Sequence, residues 1–315
     1  MLDFQDAIIG NKIIDELKQD DKEQLHIAFG VDSNFACHMG VLMASIVFNN
    51  PNLNFIFHVL ATSLDDDNVN RLKLFAQKNS TKIVIYDIDD KFFSSWPNAR
   101  RFTTAAYFRL MLPEIIHDAL YVLYLDSDMI CMGDISKLIH LDLGNNVLAA
   151  VGDTEKVQAK QNLALNLRDH IYFNSGFLYI NIENWRLNNI SEKVINLLST
   201  NPNNLSLPDQ DALNILLSNK VTYLDREWNC LSSRKHSKPI FLHFAGLTKP
   251  WIMGYPGENM YLYYKNMSPW VNIPLELPKL YSDMRRYSKM LIKKGEILSG
   301  LNWYLKYLWT KTRQK

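Results

Sequence analysis

The sequence contains few of the residues that stabilise small secreted proteins, and no run that could cross a membrane. Its 315 residues include only three cysteines, Cys37, Cys131 and Cys230, which lie far apart and form no CxxC pair. This spacing argues against a disulfide framework or a cysteine zinc site and favours buried thiols in a reducing compartment. No stretch reaches the roughly 18 uncharged apolar residues that a membrane-spanning helix requires.

Other common sequence signals are missing as well. The opening stretch MLDFQDAIIG carries acidic residues where a secretion signal would carry basic ones, so we expect a cytoplasmic protein. The sequence has no internal repeat and no low-complexity segment. With 47% hydrophobic and 21% charged residues, its composition excludes wholesale disorder and provides ample material for a core.

The net charge of +1 conceals a strong asymmetry along the chain. Residues 279–315 contain ten basic and two acidic residues, which leaves residues 1–278 with a net charge of −7. The basic segment is also rich in Trp, Tyr and Leu. Such a segment can lie in a membrane interface, or it can form a solvated basic helix that caps the domain. A nucleic-acid site is disfavoured because the rest of the chain is acidic and shows no binding module.

Alternating strand and helix patterns in the first half predict a largely parallel sheet covered on both faces. The second half changes to short strands divided by loops, so we expect one α/β domain with a nucleotide-binding first half and a mixed central sheet. The predicted strands are 25–32, 53–62, 82–89, 121–126, 146–153, 172–182, 221–225 and 240–246, and the predicted helices are 35–50, 65–79, 191–199 and 209–218.

Aspartates lie at the carboxyl ends of two predicted strands, where open parallel sheets bind ligands. Asp32 ends the first strand, and Asp126 and Asp128 follow the apolar run VLYL. Residues two apart on an extended segment project on the same side, so Asp126 and Asp128 can face one cation. Two oxygen ligands with open coordination positions suit a Mg²⁺ or Mn²⁺ ion that also binds substrate phosphates.

A second group of candidate ligands lies in LHFAGLTKPW, residues 242–251. By strand alternation His243 points away from its apolar neighbours, and a neutral imidazole is a natural third ligand for Mn²⁺. Gly246 permits close backbone approach, and Lys249 offers a point charge for a diphosphate. A lone histidine in a strand is commonly a core residue, but its combination with the two aspartates and Lys249 favours a metal–diphosphate site.

A phosphatase of the haloacid dehalogenase type also places DxD after an apolar strand and uses the first aspartate as nucleophile. That chemistry requires a downstream GDxxxD motif to hold magnesium. Here GDTEKV has Val157 at the last position of the motif, and GDISKL has Leu138. The phosphatase is therefore the less favoured alternative.

Six motifs occur in order along residues 25 to about 275: AFGVDSNF, AAYFRLMLPEI, LYLDSDMICMGDI, YFNSGFLYINIENW, PDQDALN and HFAGLTKPW. Together they resemble the retaining GT-A glycosyltransferases of family 8, and are most similar to the bacterial enzymes that add glucose or galactose to the lipopolysaccharide core. The resemblance implies an α/β GT-A fold with a Rossmann-like nucleotide-binding half. With the basic segment, it leads us to predict a lead segment (1–24), a catalytic domain (25–275) and a basic aromatic membrane-association tail (276–315).

The resemblance also implies a role for each matching site residue. Three ligands would hold the metal: Asp126, Asp128 and His243. Seven residues would bind the nucleotide and its diphosphate: Gly30, Asp32, Asn34, Phe35, Arg109, Gly246 and Lys249. Five would surround the donor sugar: Arg109, Asp153, Asn174, Asp209 and Gln210, with Gln210, Asp209 and Asp153 catalytic. Structural roles remain open for some of them: an ion pair for Arg109, a helix N-terminus for Asp209, and turns for Asp153 and Asn174.

The implied activity is transfer of glucose or galactose from a UDP-sugar, with Mn²⁺ or Mg²⁺, in α linkage to the lipopolysaccharide core. A glutamine is a poor nucleophile, so we expect front-face attack by the acceptor instead of a double displacement through Gln210. Since a lipid-anchored acceptor lies at the inner face of the cytoplasmic membrane, membrane docking is the favoured role of residues 279–315. The alternative from another class is a non-catalytic protein that binds a UDP-sugar or a lipid surface.

Overall fold

The computed structural model describes residues 3–18, 20–94, 96, 104–167, 170–200, 205–231 and 238–313. Within these ranges the chain forms eleven strands and ten α-helices. The strands are β1 (Ile8–Asp15), β2 (Gln24–Asp32), β3 (Asn54–Thr62), β4 (Lys82–Ile88), β5 (Tyr121–Leu125), β6 (Met129–Cys131), β7 (Leu148–Gly152), β8 (Phe173–Asn181), β9 (Val221–Tyr223), β10 (Cys230–Leu231) and β11 (Phe241–His243). The helices are α1 (Ala36–Asn49), α2 (Asp66–Asn79), α3 (Leu112–Ile115), α4 (Glu155–Ala164), α5 (Ile182–Leu187), α6 (Ile190–Thr200), α7 (Pro208–Leu217), α8 (Glu258–Lys265), α9 (Tyr281–Lys293) and α10 (Ile297–Arg313), with a 3₁₀ segment at Thr104–Leu110.

The central sheet has eight strands in the order β1-β4-β3-β2-β5-β8-β7-β9. Strands β4, β3, β2 and β5 are parallel to one another, as the alternating pattern predicted. β8 runs antiparallel to both β5 and β7, and β1 runs antiparallel to β4, so the sheet is mixed. Because β2 and β5 are parallel neighbours, the aspartates at their carboxyl ends emerge at the same edge of the sheet.

The sheet separates two apolar cores, and alternate residues of its strands enter one or the other. In β2, Ile27 and Phe29 belong to the first core, which α1 and α2 cover, whereas Ala28 belongs to the second, which includes residues of α6 and α7. Ile27 and Phe29 are fully buried, and burying such a side chain contributes about 2 kcal/mol. Two-sided burial explains why the parallel strands appear in the sequence as nearly continuous apolar runs.

A small second sheet, in the order β10-β11-β6, lies next to the edge of the central sheet where Asp126 and Asp128 emerge. β6 begins just after Asp128 and pairs antiparallel with β11, so that Met129 lies opposite His243. This pairing brings two segments more than a hundred residues apart in sequence to the same place.

The first strand was not predicted from the sequence. β1 pairs along the edge of the sheet with β4, and Ile9 and Ile13 on it are 70% and 62% exposed. An edge strand with outward apolar residues lacks the clean alternation that marks a half-buried strand. The lead segment of residues 1–24 therefore contributes to the same sheet as the rest, while the boundaries between the predicted domains stay a prediction.

The basic C-terminal segment forms a helical hairpin of α9 and α10. The two helices pack closely at Gly300, whose backbone oxygen accepts a hydrogen bond of 2.7 Å from Ser288 Oγ. A Cβ atom at Gly300 would lie 2.5 Å from Ile292. Among the described residues, none of the helices is long and apolar enough to cross a bilayer.

Buried histidines predict a fold that loses stability in acid. His58 lies in the middle of β3, 1% exposed, with its ring nitrogens 3.0 Å from His26 and 3.2 Å from the Tyr86 hydroxyl. Burial lowers the pKa of His58 to about 3, and it lowers the pKa of His38 to about 3 as well. An unfolded histidine gains its proton near pH 6.5, so below that pH the unfolded state binds more protons and stability falls.

We expect each of these histidines to lower the free energy of unfolding by about 2 kcal/mol between pH 7 and pH 5. Urea denaturation at the two pH values measures the difference. His58→Asn should lose its share of the pH dependence, whereas the control His140→Gln, at a side chain that is 70% exposed, should keep the wild-type profile. An unchanged pH profile in His58→Asn would contradict this account.

Candidate active site

Asp126, Asp128 and His243 converge at the edge of the sheet. One potential ligand atom from each lies within 4.8 Å of the others. His243 Nε2 is 3.1 Å from Asp128 Oδ1 and 3.8 Å from Asp126 Oδ2. Asp126 follows the last residue of β5, and its backbone N–H donates to the Gly176 carbonyl at 2.8 Å. The three predicted metal ligands are therefore brought together by β5, β6 and β11.

The chemistry of this group fits a divalent cation. His243 Nδ1 lies 2.9 Å from Asn229 Oδ1, and with that oxygen as acceptor the Nδ1 atom carries the proton and Nε2 is left as a ligand. Gly176 provides the space, since a Cβ atom there would lie 2.5 Å from His243 Cε1 and 2.6 Å from Asp126 Oδ2. Two carboxylates and one imidazole suit Mn²⁺ or Mg²⁺ with positions left for a substrate.

Lys249 lies beside the same group. Its Nζ atom donates to Asp128 Oδ2 at 2.5 Å and to the Phe244 carbonyl at 2.7 Å. Burial opposes ionisation of Asp128, but His243 and Lys249 outweigh it and hold the pKa of this carboxyl well below its usual range. At Gly246, a Cβ atom would meet no described atom within 4 Å, so the backbone there is open to a ligand. These positions agree with a loop that receives an anion.

Arg109 is buried behind the metal ligands. Its guanidinium donates to Asp126 Oδ1 at 3.0 Å and to Ser175 Oγ at 2.8 Å, and its Nε lies 3.3 Å from Asp209 Oδ2. Burial opposes its charge, but Tyr124, Asp126 and Asp209 outweigh burial and raise the pKa of the guanidinium. The structure thus shows Arg109 in ion pairs with carboxylates, the structural role that the sequence left open. The contact of Arg109 with a donor stays a prediction.

The predicted sugar-binding residues form one hydrogen-bonded network. Gln210 Oε1 accepts from the Ser175 N–H at 2.9 Å and from Asn174 Nδ2 at 3.3 Å, and Gln210 Nε2 donates to Asp153 Oδ2 at 3.3 Å. Asn174 Nδ2 also donates to Asp153 Oδ2 at 3.1 Å. These residues come from the end of β7, from β8 and from the first turn of α7.

Asp209 neighbours this network in the first turn of α7. The helix begins at Pro208, a residue favoured at the first helical position. Burial raises the pKa of Asp209, and the Arg109 charge partly offsets that effect. The carboxyl of Asp209 also accepts a hydrogen bond of 3.2 Å from Ser175 Oγ.

Asn229 joins the metal ligands to the sugar network and was missed in the sequence. Besides its contact with His243, its Nδ2 atom donates to Asn174 Oδ1 at 2.9 Å. Asn229 ends a short 3₁₀ turn with no recognisable motif, so no local signal pointed to it. Tyr124 was also missed, although it stands two residues before Asp126 and donates to Asp126 Oδ1 at 3.0 Å. Strand alternation could have found Tyr124.

Four of the predicted nucleotide-binding residues lie between the end of β2 and the start of α1: Gly30, Asp32, Asn34 and Phe35. Asp32 Oδ1 accepts hydrogen bonds from the backbone of Asn34 at 2.9 Å and of Phe35 at 3.1 Å, so it shapes the turn into the helix. The ring of Phe35 stands edge-on to Trp251, with centroids 5.9 Å apart. Gly30 has a packing role, because a Cβ atom there would lie 2.5 Å from the Ala105 carbonyl. Contact of these residues with a nucleotide stays a prediction.

Sequence comparison decides the family. The sequence profile of Glycosyl transferase family 8 matches residues 26–253, and the profile of the family 8 C-terminal region matches residues 255–311. The chain belongs to glycosyltransferase family 8.

Relatives and solved structures agree with this family 8 assignment. The chain is 33% identical over 307 residues to a lipopolysaccharide 1,3-galactosyltransferase of Salmonella typhimurium, with 91% of each chain covered. It is 32% identical over 314 residues to a lipopolysaccharide 1,2-glucosyltransferase of Escherichia coli, with 93% of each covered. The crystal structure of the galactosyltransferase LgtC with donor and acceptor sugar analogues matches with a TM-score of 0.70 and 25% identity, covering 78% of this chain and 96% of that one. The predicted family and GT-A fold are confirmed.

In this family 8 glycosyltransferase, Gly176→Ala should weaken Mn²⁺ binding by about tenfold or more, because the new methyl group would displace the ligands. Calorimetric titration of the purified protein with Mn²⁺ provides the measurement. The matched control is Gly10→Ala on β1, whose Cβ atom would meet Asp87 at an ordinary 3.4 Å. Undiminished Mn²⁺ affinity in Gly176→Ala would mean that the metal binds elsewhere.

Proposed function

We propose that this family 8 glycosyltransferase transfers glucose or galactose from a UDP-sugar to the lipopolysaccharide core, in α linkage and with retention of configuration. The observation that carries the proposal is the convergence of Asp126, Asp128 and His243 with Lys249 on one side and the Gln210 network on the other. The relatives named above, at 32–33% identity over nearly the whole chain, supply the sugar and acceptor classes.

Positive charge at the metal site would stabilise the leaving diphosphate. A divalent cation bound there would neutralise charge that develops on the departing phosphate. Lys249 adds a second positive charge at the same place, since its Nζ atom contacts Asp128. Such groups stabilise the transition state more than the ground state because the negative charge on the phosphate grows as the bond to the sugar breaks.

The hydrogen bonds of Gln210 favour front-face attack. Its Oε1 atom accepts from the backbone N–H of Ser175 and from Asn174 Nδ2, so the lone pairs of a weakly nucleophilic amide oxygen are already engaged. In the reaction we propose, the bond from C1 to the phosphate oxygen breaks, the acceptor oxygen bonds to C1 on the same face, and the acceptor proton passes to the leaving phosphate. Gln210, Asp153 and Asp209 would then stabilise the oxocarbenium-like sugar. A glycosyl adduct trapped on Gln210 or on Asp211 would overturn this mechanism.

We further propose that the hairpin of α9 and α10 contacts the inner face of the cytoplasmic membrane. Four apolar side chains recur on one side of α10 at helical spacing, and each is at least half exposed: Leu298, Leu301, Leu305 and Trp309. Basic residues lie against aromatic rings of the same helix, with Arg313 Cζ 3.9 Å from the Trp309 ring centroid and Lys306 Nζ 4.3 Å from that of Trp303. This combination suits the boundary between apolar chains and anionic headgroups.

Release of UDP from UDP-glucose and UDP-galactose, with Mn²⁺ or with EDTA and with truncated lipopolysaccharide as acceptor, tests the activity. We expect metal-dependent turnover of one donor, reduced by about 100-fold or more in Asp128→Asn because a metal ligand loses its charge. The exposed Asp118→Asn is the matched control and should retain activity. If UDP binds with metal but neither donor is turned over, the non-catalytic binding protein becomes the better explanation.

Co-sedimentation with phosphatidylglycerol vesicles tests the membrane contact. Leu305→Glu/Trp309→Glu should bind vesicles about tenfold more weakly, because two exposed apolar contacts are replaced by negative charge. The matched control is Leu163→Glu/Leu187→Glu, at two leucines of α4 and α5 that are 85% and 70% exposed. Equal loss of vesicle binding in both double variants would show that charge alone, and not the face of α10, sets the affinity.

A further inference from the structure

A cavity of about 460 Å³ opens between α9 and α10, apart from the candidate active site. Four basic side chains and two tyrosines line it: Arg285, Arg286, Lys289, Lys311, Tyr281 and Tyr307. None of them belongs to the metal, nucleotide or sugar positions described above. We call this cavity the hairpin pocket.

The positive charges of the hairpin pocket are mostly uncompensated. Arg286 is paired with Asp283, a buried carboxylate, and it also donates to Thr248 Oγ1 at 3.0 Å. Within the part of the chain that the structure describes, the other three basic groups, Arg285, Lys289 and Lys311, have no carboxylate within 4.0 Å. Cations gathered around one cavity repel each other, and a bound anion would remove that repulsion.

Two of these cations lie beside one aromatic ring. Tyr307 is 6% exposed, and Arg285 Cζ and Lys311 Nζ lie 5.7 Å and 5.6 Å from its ring centroid. Lys311 Nζ is also 3.3 Å from the Tyr307 hydroxyl. The ring therefore restricts where both cations can go, which lowers the entropy lost when they bind a ligand.

We infer that the hairpin pocket binds a phosphate group carried on a larger molecule. A phosphate presents several oxygens to the fork of an arginine and to the point charges of lysines. The cavity volume falls in the range of small-molecule sites, about 300–1,000 Å³, and leaves room for the group that carries the phosphate. Both a phospholipid headgroup and a phosphorylated sugar of the acceptor have this chemistry.

The hydrogen bond from Arg286 to Thr248 connects the pocket to a segment of the candidate active site. Thr248 lies between Gly246 and Lys249, the two residues predicted to contact the donor diphosphate. A phosphate bound to Arg286 in the pocket would therefore be one residue away from the loop predicted to contact the donor diphosphate. This position suits a group that belongs to the acceptor or to the membrane that carries it.

Calorimetric titration with glycerol 3-phosphate tests the pocket directly. We expect Lys289→Gln/Lys311→Gln to bind about tenfold more weakly, since two charged contacts are lost. Lys293→Gln/Lys294→Gln removes the same charge from exposed positions of the same hairpin outside the pocket, and should bind as the wild type does. Lys249→Gln should also leave the affinity unchanged. Equal affinities for the two double variants, or a loss in Lys249→Gln, would overturn the inference.

Two further measurements distinguish the sources of the phosphate. If it is a lipid headgroup, the pocket variant loses affinity for phosphatidylglycerol vesicles relative to the control pair, and glycerol 3-phosphate competes with them. If it belongs to the acceptor, the pocket variant raises the KM for phosphorylated truncated lipopolysaccharide and not for the dephosphorylated form. A pocket variant that matches the control pair in both measurements counts against the pocket.

The acceptor measurement rests on the proposed activity, and the vesicle measurement rests on the proposed membrane contact. The titration with glycerol 3-phosphate needs no turnover, so absence of sugar transfer together with intact, pocket-dependent binding would count against the proposed activity alone.

Discussion

The buried guanidinium of Arg109 is the contact on which the arrangement of the site depends. It is 4% exposed, and it accommodates two carboxylates, Asp126 and Asp209, that would otherwise repel each other in a poorly solvated place. Its remaining hydrogen bonds reach the carbonyls of Ala106 and Ser175, so the 3₁₀ segment, β5, β8 and α7 meet at one side chain. Removing one partner from such a buried group leaves uncompensated charge, which typically costs about 3–5 kcal/mol.

Amide side chains connect the other residues of the site by hydrogen bonds. Asn229 contacts His243 on one side and Asn174 on the other, and Asn174 continues to Gln210 and Asp153. Amide side chains donate and accept at once, so they can connect groups of opposite character without adding charge. The predicted metal ligands and the predicted sugar-binding residues are therefore parts of one hydrogen-bonded framework, and movement of either half would disturb the other.

Much of the fold could be predicted because burial on both sides of the sheet leaves plain marks in the sequence. The apolar runs of β2 to β5 predicted four neighbouring strands, and the aspartates after β2 and β5 lie at one edge of the sheet as the pattern predicted. The predicted helix 65–79 is α2, which Asp65 caps by accepting from the Asn68 N–H. Other features depend on tertiary contacts that carry no local signal. The partners of Arg109 come from distant segments, and Asn229 stands in an unremarkable turn. The basic C-terminal segment was recognised by its composition, but its folding into a hairpin rests on the fit of Gly300 against Ile292.

The contact between Thr248 and α9 has a thermodynamic consequence. Thr248 Oγ1 donates to Asp283 of α9 at 3.1 Å and accepts from Arg286, so the segment from Gly246 to Lys249 and the hairpin share a hydrogen-bonded joint. Where binding at one of two sites changes affinity at the other, the second site changes the first by the same factor. A ligand in the hairpin that tightened binding at residues 246–249 would therefore itself be held more tightly when those residues are occupied.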